Sequence, residues 1–353
     1  MSVSSTGELN RGRGGLPADQ LAHASAVVDP LVVGVLGAAV SLAGASRPSF
    51  WYDEAATISA SHSRSLGQLW QMLSNVDAVH GLYYLIMHGW FQIFPPTEFW
   101  SRAPSGLAVG GAAAGVVVLG RQFSSRTVAV IAGILCAILP RATWAGVEAR
   151  PYALSMMAAV WLTVLLVFAA RRNNAWVWLF YGIAMAISIL LDVYLGLLFL
   201  AHVVFICVFR RTGTVVVSFA ITSVLIVCAL APFVVLAADQ VHQISWITPI
   251  GRRTIEDVTV QQYFERSPPF ALLSALVAAA AIVLWLCTSA QLGEPHRQLL
   301  TIALAWLVIP TAVTVIWSRR STPSIRHATY ASPHRRWHWS WGSASPHWPL
   351  GHG

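Results

Sequence analysis

Residues 30–54 read PLVVGVLGAAVSLAGASRPSFWYDE, and this stretch carries the first indication of both the fold class and the chemistry. Its first part, 30–45, is a long apolar run of the kind that enters a membrane as a helix. Two adjacent carboxylates, Asp53 and Glu54, follow at the predicted mouth of that helix. Since a bilayer disfavours unpaired acids, acids near it are candidates for a functional site. The alternative, that both lie in an ordinary aqueous loop, is equally open on position alone.

The composition predicts an integral membrane protein. The hydrophobic fraction is 56%, the charged fraction is 10% and the mean hydropathy is +0.63, whereas soluble domains carry roughly 25% charged residues. The net charge of +8 comes from short arginine clusters between apolar runs. That arrangement is the positive-inside pattern of a polytopic protein, so we expect no nucleic-acid partner.

The arginine clusters also predict a path through the membrane. Arg11 and Arg13 place a segment 1–29 in the cytoplasm, and clusters near 121, 171 and 210 mark further cytoplasmic turns. A membrane domain over 30–320 then holds nine predicted spans: 30–45, 102–120, 127–140, 152–170, 176–191, 194–209, 214–238, 270–287 and 299–317.

One apolar segment, 82–94, has no crossing in this path because it is well below the roughly 20 residues that a span needs. Its polar residues Tyr84, His88 and Gln92 recur every four positions and therefore share one stripe of a helix. We interpret it as an amphipathic helix on the outer membrane face. The predicted fold class is thus an all-α membrane protein with about nine transmembrane helices and one juxtamembrane helix.

The predicted outer face carries two sizeable loops, 47–100 and 240–269. Three polar segments fall on that face: FWYDEA at 50–55, DAVHGLYY at 77–84 and EARPY at 148–152. Together they predict a cleft that contains carboxylates, an imidazole, an arginine and tyrosines. The four cysteines lie in apolar runs without CxxC spacing, and no Gly-rich phosphate loop follows a strand. We therefore expect no cofactor and no nucleotide-sugar donor, although the sequence is also compatible with a divalent metal.

The composition changes after Arg320. Residues 321–353 are rich in His, Trp, Pro and Arg and show no apolar periodicity, which predicts an irregular tail. Three explanations are open: an outer-face tail, a His-rich metal-binding tract, or out-of-frame translation of a truncated gene. The abrupt change favours the last, and the histidines lack regular ligand spacing.

The motifs WYDE (51–54), DAVHGLYYLIMHGWF (77–91), SRAPSGLAVG (101–110) and EARPYALSMM (148–157) resemble the GT-C superfamily of polytopic glycosyltransferases. The likeness is greatest to its protein-mannosyltransferase and aminoarabinose-transferase branch, including actinobacterial relatives that use polyprenyl-phosphate sugars, and it covers 49–200. There are departures. In this chain Gly81-Leu82 occupy the positions where the family commonly has two prolines. Many family members carry a histidine near the position of Asp192. The outer-face Pro-Arg-Tyr element of the family is missing after Arg320.

The resemblance implies a plasma-membrane glycosyltransferase. It would move a sugar, expected to be mannose, from a polyprenyl-phosphate donor to a hydroxyl of a lipid, glycan or protein acceptor on the outer face. Asp53 is then the general base, and Arg150 stabilises the leaving phosphate. Further substrate contacts are expected from Glu54, Asp77, His80, Tyr83, Glu148, Tyr152 and Asp192.

Structural roles compete with these assignments. Glu54 would orient its loop or bind acceptor, Arg150 would pair with Glu148 or with phosphate, and His80 would bind substrate or cap the following helix. The tyrosines suit the membrane interface equally well, and Asp192 suits an exposed turn. At the level of function, the alternatives are a lipid or small-solute transporter or flippase, and an inactive truncated transferase.

Overall fold

The computed structural model describes residues 18–209, 213–240, 264, 267–288 and 293–329. Within these ranges the regular elements are thirteen α-helices and one 3₁₀ turn. In chain order they are α1 (Ala18–Leu42), α2 (Tyr52–Ser61), α3 (Leu66–Leu73), the 3₁₀ turn (Ala78–His80), α4 (Gly81–Phe91), α5 (Glu98–Arg121), α6 (Arg126–Ile138), α7 (Pro140–Gly146), α8 (Tyr152–Arg172), α9 (Ala175–Leu191), α10 (Leu195–Phe209), α11 (Gly213–Asp239), α12 (Pro268–Thr288) and α13 (Glu294–Thr329).

Five of these helices are long and apolar enough to cross a membrane. They are α5, α8, α11 and parts of α1 and α13, over Ala24–Leu42 and Glu294–Ile316. The pair α6 and α7 adds a sixth if it forms one span, bent by 58°. Each remaining predicted span coincides with a shorter apolar helix: α9, α10 and Pro268–Ala280 of α12. The all-helical class and the apolar segments are confirmed, while nine crossings stay a prediction.

Helix α5 lies at the centre of the first half of the bundle and packs on α1, α6, α7 and α8. Small residues allow this close packing. A Cβ placed on Gly110 of α5 would lie only 2.4 Å from the carbonyl oxygen of Gly34 in α1. The second half packs around Leu166, Tyr181 and Phe205, which α8, α9 and α10 contribute, and includes Ile302 of α13.

The two ends of the bundle differ in chemistry. At the arginine end, defined by Asp29, Arg121, Arg126, Arg171 and Arg172, the Asp29 carboxylate accepts hydrogen bonds from Arg126 at 2.6 and 2.8 Å and from Arg121 at 3.0 Å. Arg171 donates to the carbonyl of Gln122 at 3.1 Å. The start of α6 and the ends of α5 and α8 therefore meet at one end of the bundle.

The other end, the loop end, consists of residues 45–80, 95–105, 148–152, 192 and 240. The three polar segments singled out in the sequence meet there. Ser105 near the start of α5 donates to the carbonyl of Glu148 at 2.6 Å. Gln240, directly after α11, accepts from the amide of Ala78 and donates to the carbonyl of Leu73, both at 2.9 Å. The membrane side on which this end lies is still a prediction.

The helix predicted over 82–94 is present as α4, and its polar stripe faces largely into the protein. Tyr84 is only 1% exposed, whereas Leu85 and Ile86 are 49% and 40% exposed. His88 donates through Nδ1 to the carbonyl of Ser61 in α2 at 2.7 Å. The polar stripe points largely inward because its groups find hydrogen-bond partners there, which removes the penalty of burying them; Gln92 alone of the three is exposed.

Two boundaries also differ from the predictions. Helix α1 begins at Ala18 rather than near 30, with Pro30 inside it, so residues 18–29 of the predicted cytoplasmic segment are helical. Helix α13 continues to Thr329, which makes 321–329 helical rather than irregular. Extending an existing helix costs far less than nucleating one, so a segment without an apolar face can still prolong it. Arg11, Arg13, Arg210, Arg211, most of 240–269 and 330–353 lie outside the described residues.

Candidate functional site

A fully buried ion pair fixes the first turn of α2, which carries Asp53, together with the loop that precedes it. The guanidinium of Arg102 donates to both carboxylate oxygens of Glu54, at 2.7 and 2.6 Å, and neither side chain is more than 1% exposed. Arg102 also donates to three carbonyls of the incoming chain, those of Ala45, Pro48 and Ser49. Such a fork fixes both the position and the direction of the loop.

Glu54 extends this network to the third polar segment, because its Oε1 accepts the amide of Ala149 at 2.8 Å. Glu54 is fully buried, so the geometry fits a role in orienting its loop rather than in binding the acceptor. Arg102 belongs to the motif SRAPSGLAVG (101–110), but the sequence analysis predicted no role for it. Its signal was present, since an arginine at the start of an apolar helix needs a partner.

Glu148 is bound to Trp51 rather than to Arg150. The indole Nε1 of Trp51 donates to Glu148 Oε2, and Glu148 is 9% exposed. Burial raises the pKa of Glu148 to about 7, although the hydrogen bond from Trp51 acts in the opposite direction. The structural ion pair considered between Glu148 and Arg150 is therefore replaced by a contact that joins the first and third polar segments.

Arg150 lies at the centre of the site instead. Its Nη2 is 3.9 Å from Asp53 Oδ2 and 3.3 Å from His80 Nε2. The Arg150 side chain is 9% exposed and that of Asp53 is 35% exposed. One residue from each polar segment thus meets at this point, and Asp53 is the member that external molecules reach.

The contact with Arg150 fixes the tautomer of His80. A guanidinium only donates hydrogen bonds, so His80 Nε2 must accept and the ring proton must lie on Nδ1. Burial lowers the pKa of His80, and the positive charge of Arg150 lowers it further, which favours this neutral form. The side chain of His80 makes no capping hydrogen bond to α4, so the capping alternative is not observed.

Three buried donors of this site have no hydrogen-bond partner among the described residues. They are His80 Nδ1, Arg150 Nε and the hydroxyl of Tyr83. Burial raises the pKa of Tyr83, and this hydroxyl therefore keeps its proton. Buried polar groups are normally paired, and each exception needs an explanation. Two unpaired donors beside a guanidinium that has an unpaired N–H of its own fit an acceptor-rich, negatively charged ligand.

The surrounding residues have their own partners. Tyr84 donates to Asp77 Oδ2 at 3.3 Å, and Asp77 adopts a left-handed backbone with φ of 59°. Asp192 follows the end of α9, and its carboxylate accepts a hydrogen bond from the amide of Tyr194 at 3.0 Å. This contact is the turn arrangement that the sequence analysis considered for Asp192. It also lies close enough to His80 for its charge to raise the pKa of that imidazole.

A cation–aromatic column extends from Arg150 along the site. Arg150 lies 5.9 Å from the ring centre of Tyr152, which stacks on Trp144 at 5.6 Å; Arg141 covers Trp144 at 3.9 Å. The sequence predictions missed Arg141 and Trp144. The only signal was the Leu139-Pro140-Arg141 break between α6 and α7, where an arginine interrupts an apolar run.

Within the described residues, no three His, Cys, Asp or Glu side chains are grouped so that they would hold a metal ion. Comparisons of the chain with protein-family models, curated proteins and solved structures find no match.

Proposed function

We propose that this protein is a membrane glycosyltransferase that takes a sugar, mannose by resemblance, from a polyprenyl-phosphate donor to an acceptor hydroxyl. The acceptor is a lipid, glycan or protein at the outer face of the plasma membrane. The observation that carries the proposal is the meeting of Asp53, His80 and Arg150, with three buried donors left unpaired.

The proposed roles follow from accessibility and charge. The partly exposed Asp53 takes the proton of the acceptor hydroxyl as its oxygen bonds to the anomeric carbon. The bond between that carbon and the phosphate oxygen breaks, and the lipid phosphate leaves with an additional negative charge. Arg150 meets this charge, and the N–H of His80 and the hydroxyl of Tyr83 supply neutral donors beside it.

The Glu54–Arg102 pair and the Trp51–Glu148 hydrogen bond support this arrangement from behind. They join residues 45–54 to 148–150, and so keep Asp53 at a fixed distance from Arg150. Precise positioning of this kind is worth large factors in rate, since small displacements of reacting groups are costly.

A transporter or flippase requires polar groups that line a path through the membrane. The buried polar cluster between α8, α9 and α10 is a candidate for such a path. There, His202 contacts Thr163 at 2.8 Å and Tyr181 at 2.9 Å, and all three are at most 1% exposed. These groups bond to one another rather than line an opening, which favours the transferase.

Binding of polyprenyl phosphate, the product expected from the donor, tests the oxyanion part of the proposal. Tyr83→Phe removes one unpaired donor with little change in shape, and Arg150→Lys replaces the fork by a point charge. We expect each variant to bind polyprenyl phosphate roughly tenfold or more weakly, as hydrogen bonds to charged groups imply. Arg64→Lys at the same end is the matched control. Unchanged affinity in both site variants would contradict the proposal.

A further inference from the structure

The indole ring of Trp51 forms an exposed aromatic surface beside Asp53. Trp51 is 42% exposed, whereas the nearby Glu54 and its partner Arg102 are buried. The ring is nevertheless held in place, because its Nε1 donates a hydrogen bond to Glu148 Oε2. This bond uses the only polar atom of the side chain, since an indole has one donor and no acceptor. What stays exposed is therefore apolar ring surface in a fixed orientation.

Two neighbouring contacts place this ring next to the proposed base. The Trp51 indole contacts Glu148. The Asp53 carboxylate lies 3.9 Å from Arg150, which is only two positions further along the same loop. Trp51 and Asp53 are themselves two residues apart, which limits the separation of their Cα atoms to about 7 Å. A molecule that brings a hydroxyl to Asp53 can therefore also cover the ring of Trp51.

The surface shared by Trp51 and Asp53 belongs to the aqueous side of the site. The Asp53 side chain is 35% exposed, and a carboxylate exposed to lipid tails carries a large penalty. Trp51 lies at the same level because of its closeness in the chain. An occupant must therefore enter from water and offer both apolar surface for the ring and a hydrogen-bonding group for the carboxylate.

A sugar ring combines these two properties. One face of a pyranose carries polarised C–H groups, which the negative face of an aromatic ring attracts. The rim of the same ring carries hydroxyl groups that a carboxylate can accept from. An alkyl chain offers no hydroxyl beside the indole, and the hydroxyl of a serine or threonine stands on a side chain too small to cover one. The surface therefore favours a glycan.

The position of Trp51 indicates which of the two substrates carries this sugar. The unpaired donors proposed for the phosphate come from His80, Tyr83 and Arg150. Trp51 is bound to Glu148 instead, and it lies beside Asp53, the member of the site that external molecules reach. The phosphate of the donor belongs at Arg150, whereas the acceptor hydroxyl must meet Asp53. The ring of Trp51 therefore suits the acceptor.

We propose that Trp51 forms an acceptor subsite and that the acceptor is a glycan, whose terminal sugar stacks on the indole while one of its hydroxyls bonds to Asp53. This inference rests on the proposed function for the reaction itself and selects one of its three acceptor classes. In the transfer step the O–H bond of that hydroxyl breaks and its proton goes to Asp53. Its oxygen bonds to the anomeric carbon of the donor as the lipid phosphate leaves with the electron pair of the broken bond. Trp51 positions the acceptor and takes no part in the bond changes.

Saturation-transfer difference NMR of the purified full chain tests the subsite without any donor, with α-mannotriose and maltotriose as probes. We expect wild type to bind at least one probe and to saturate the C–H protons of one sugar face. Trp51→Leu should weaken this binding roughly tenfold, as loss of an aromatic contact implies. Trp51→Phe keeps an aromatic face and should bind between the two. Trp70→Leu removes a 75% exposed indole from α3 and is the matched control, which should bind as wild type.

Transfer from polyprenyl-phosphate mannose separates this inference from the proposed function. Wild type should mannosylate the bound oligosaccharide faster than a threonine-rich peptide, and Trp51→Leu should raise the KM for the oligosaccharide about tenfold with the KM for the donor unchanged. A donor that no acceptor consumes would contradict the proposed function, while the NMR result still decides the subsite.

Four results would overturn the subsite. They are no saturation of either probe by wild type, equal binding by wild type and Trp51→Leu, a preference for the peptide, and a KM effect confined to the donor. The first and third need no variant, so the proposal stays testable if Trp51→Leu fails to fold. Equal losses in Trp51→Phe and Trp51→Leu would also contradict it, because they would assign the effect to the hydrogen bond with Glu148 rather than to the aromatic face.

Discussion

Replacing Arg102 by Met should be among the most damaging single changes in the loop end. Arg102 and Glu54 are at most 1% exposed and joined by two hydrogen bonds of 2.6 and 2.7 Å. The change leaves the Glu54 carboxylate buried without its counter-ion, for which about 3–5 kcal/mol is the typical cost. It also removes the donor from the carbonyls of Ala45, Pro48 and Ser49, so the total should lie at the upper part of that range.

Thermal unfolding in detergent, followed by loss of soluble monomer, measures this effect. Adding Glu54→Gln to Arg102→Met removes the buried charge, and the double variant should therefore recover part of the lost stability but not all of it. Arg102→Lys keeps a charge without the fork and should fall between wild type and Arg102→Met. A stability of Arg102→Met equal to wild type, or a double variant less stable than Arg102→Met, would refute the reasoning.

Two further changes probe other parts of the molecule. The folded state holds the pKa of Glu148 near 7, above its ordinary value of 4.5, so its contribution to stability is fully present below about pH 4.5 and is lost as pH rises through about 7. Glu148→Gln keeps an acceptor for Trp51 and removes this titration. The melting temperature of the variant should therefore rise relative to that of wild type between pH 5 and pH 8. A difference in melting temperature that does not change with pH would contradict this. Gly110→Ala should destabilise by about 1–3 kcal/mol because its Cβ meets Gly34 at 2.4 Å, whereas Gly67→Ala in α3, with nothing within 4 Å, should have little effect in the same unfolding assay.

Hydrophobicity located the helices well because apolar length is a local property of the chain. Each predicted span coincides with a helix, and α8 begins at Tyr152 as predicted. The meeting of the three polar segments at one end was also predictable, since it follows from the alternation of helix direction. The start of α1 was missed because the prediction followed the apolar run from 30 to 45, whereas the helix extends back to Ala18 with Pro30 inside it.

The contacts within the site could not be predicted in the same way, because they join residues far apart in sequence. Arg102 and Glu54 are 48 positions apart, and Trp51 and Glu148 are 97 apart. The polar stripe of α4 illustrates the limit. Its period predicted a helix correctly, but the direction it faces depends on partners such as Asp77 and Ser61 that periodicity does not reveal.

The central claim is that Asp53 and its neighbours transfer a sugar from a lipid phosphate. The most direct test incubates the purified chain with polyprenyl-phosphate mannose and membrane acceptors, and measures polyprenyl phosphate and mannosylated product by mass spectrometry. We predict that wild type forms both, and that Asp53→Asn, which keeps the shape of the side chain, forms them about 10²–10⁴-fold more slowly. Glu98→Gln at the same end should react as wild type. An unconsumed donor with wild type, or equal rates for wild type and Asp53→Asn, would contradict the account.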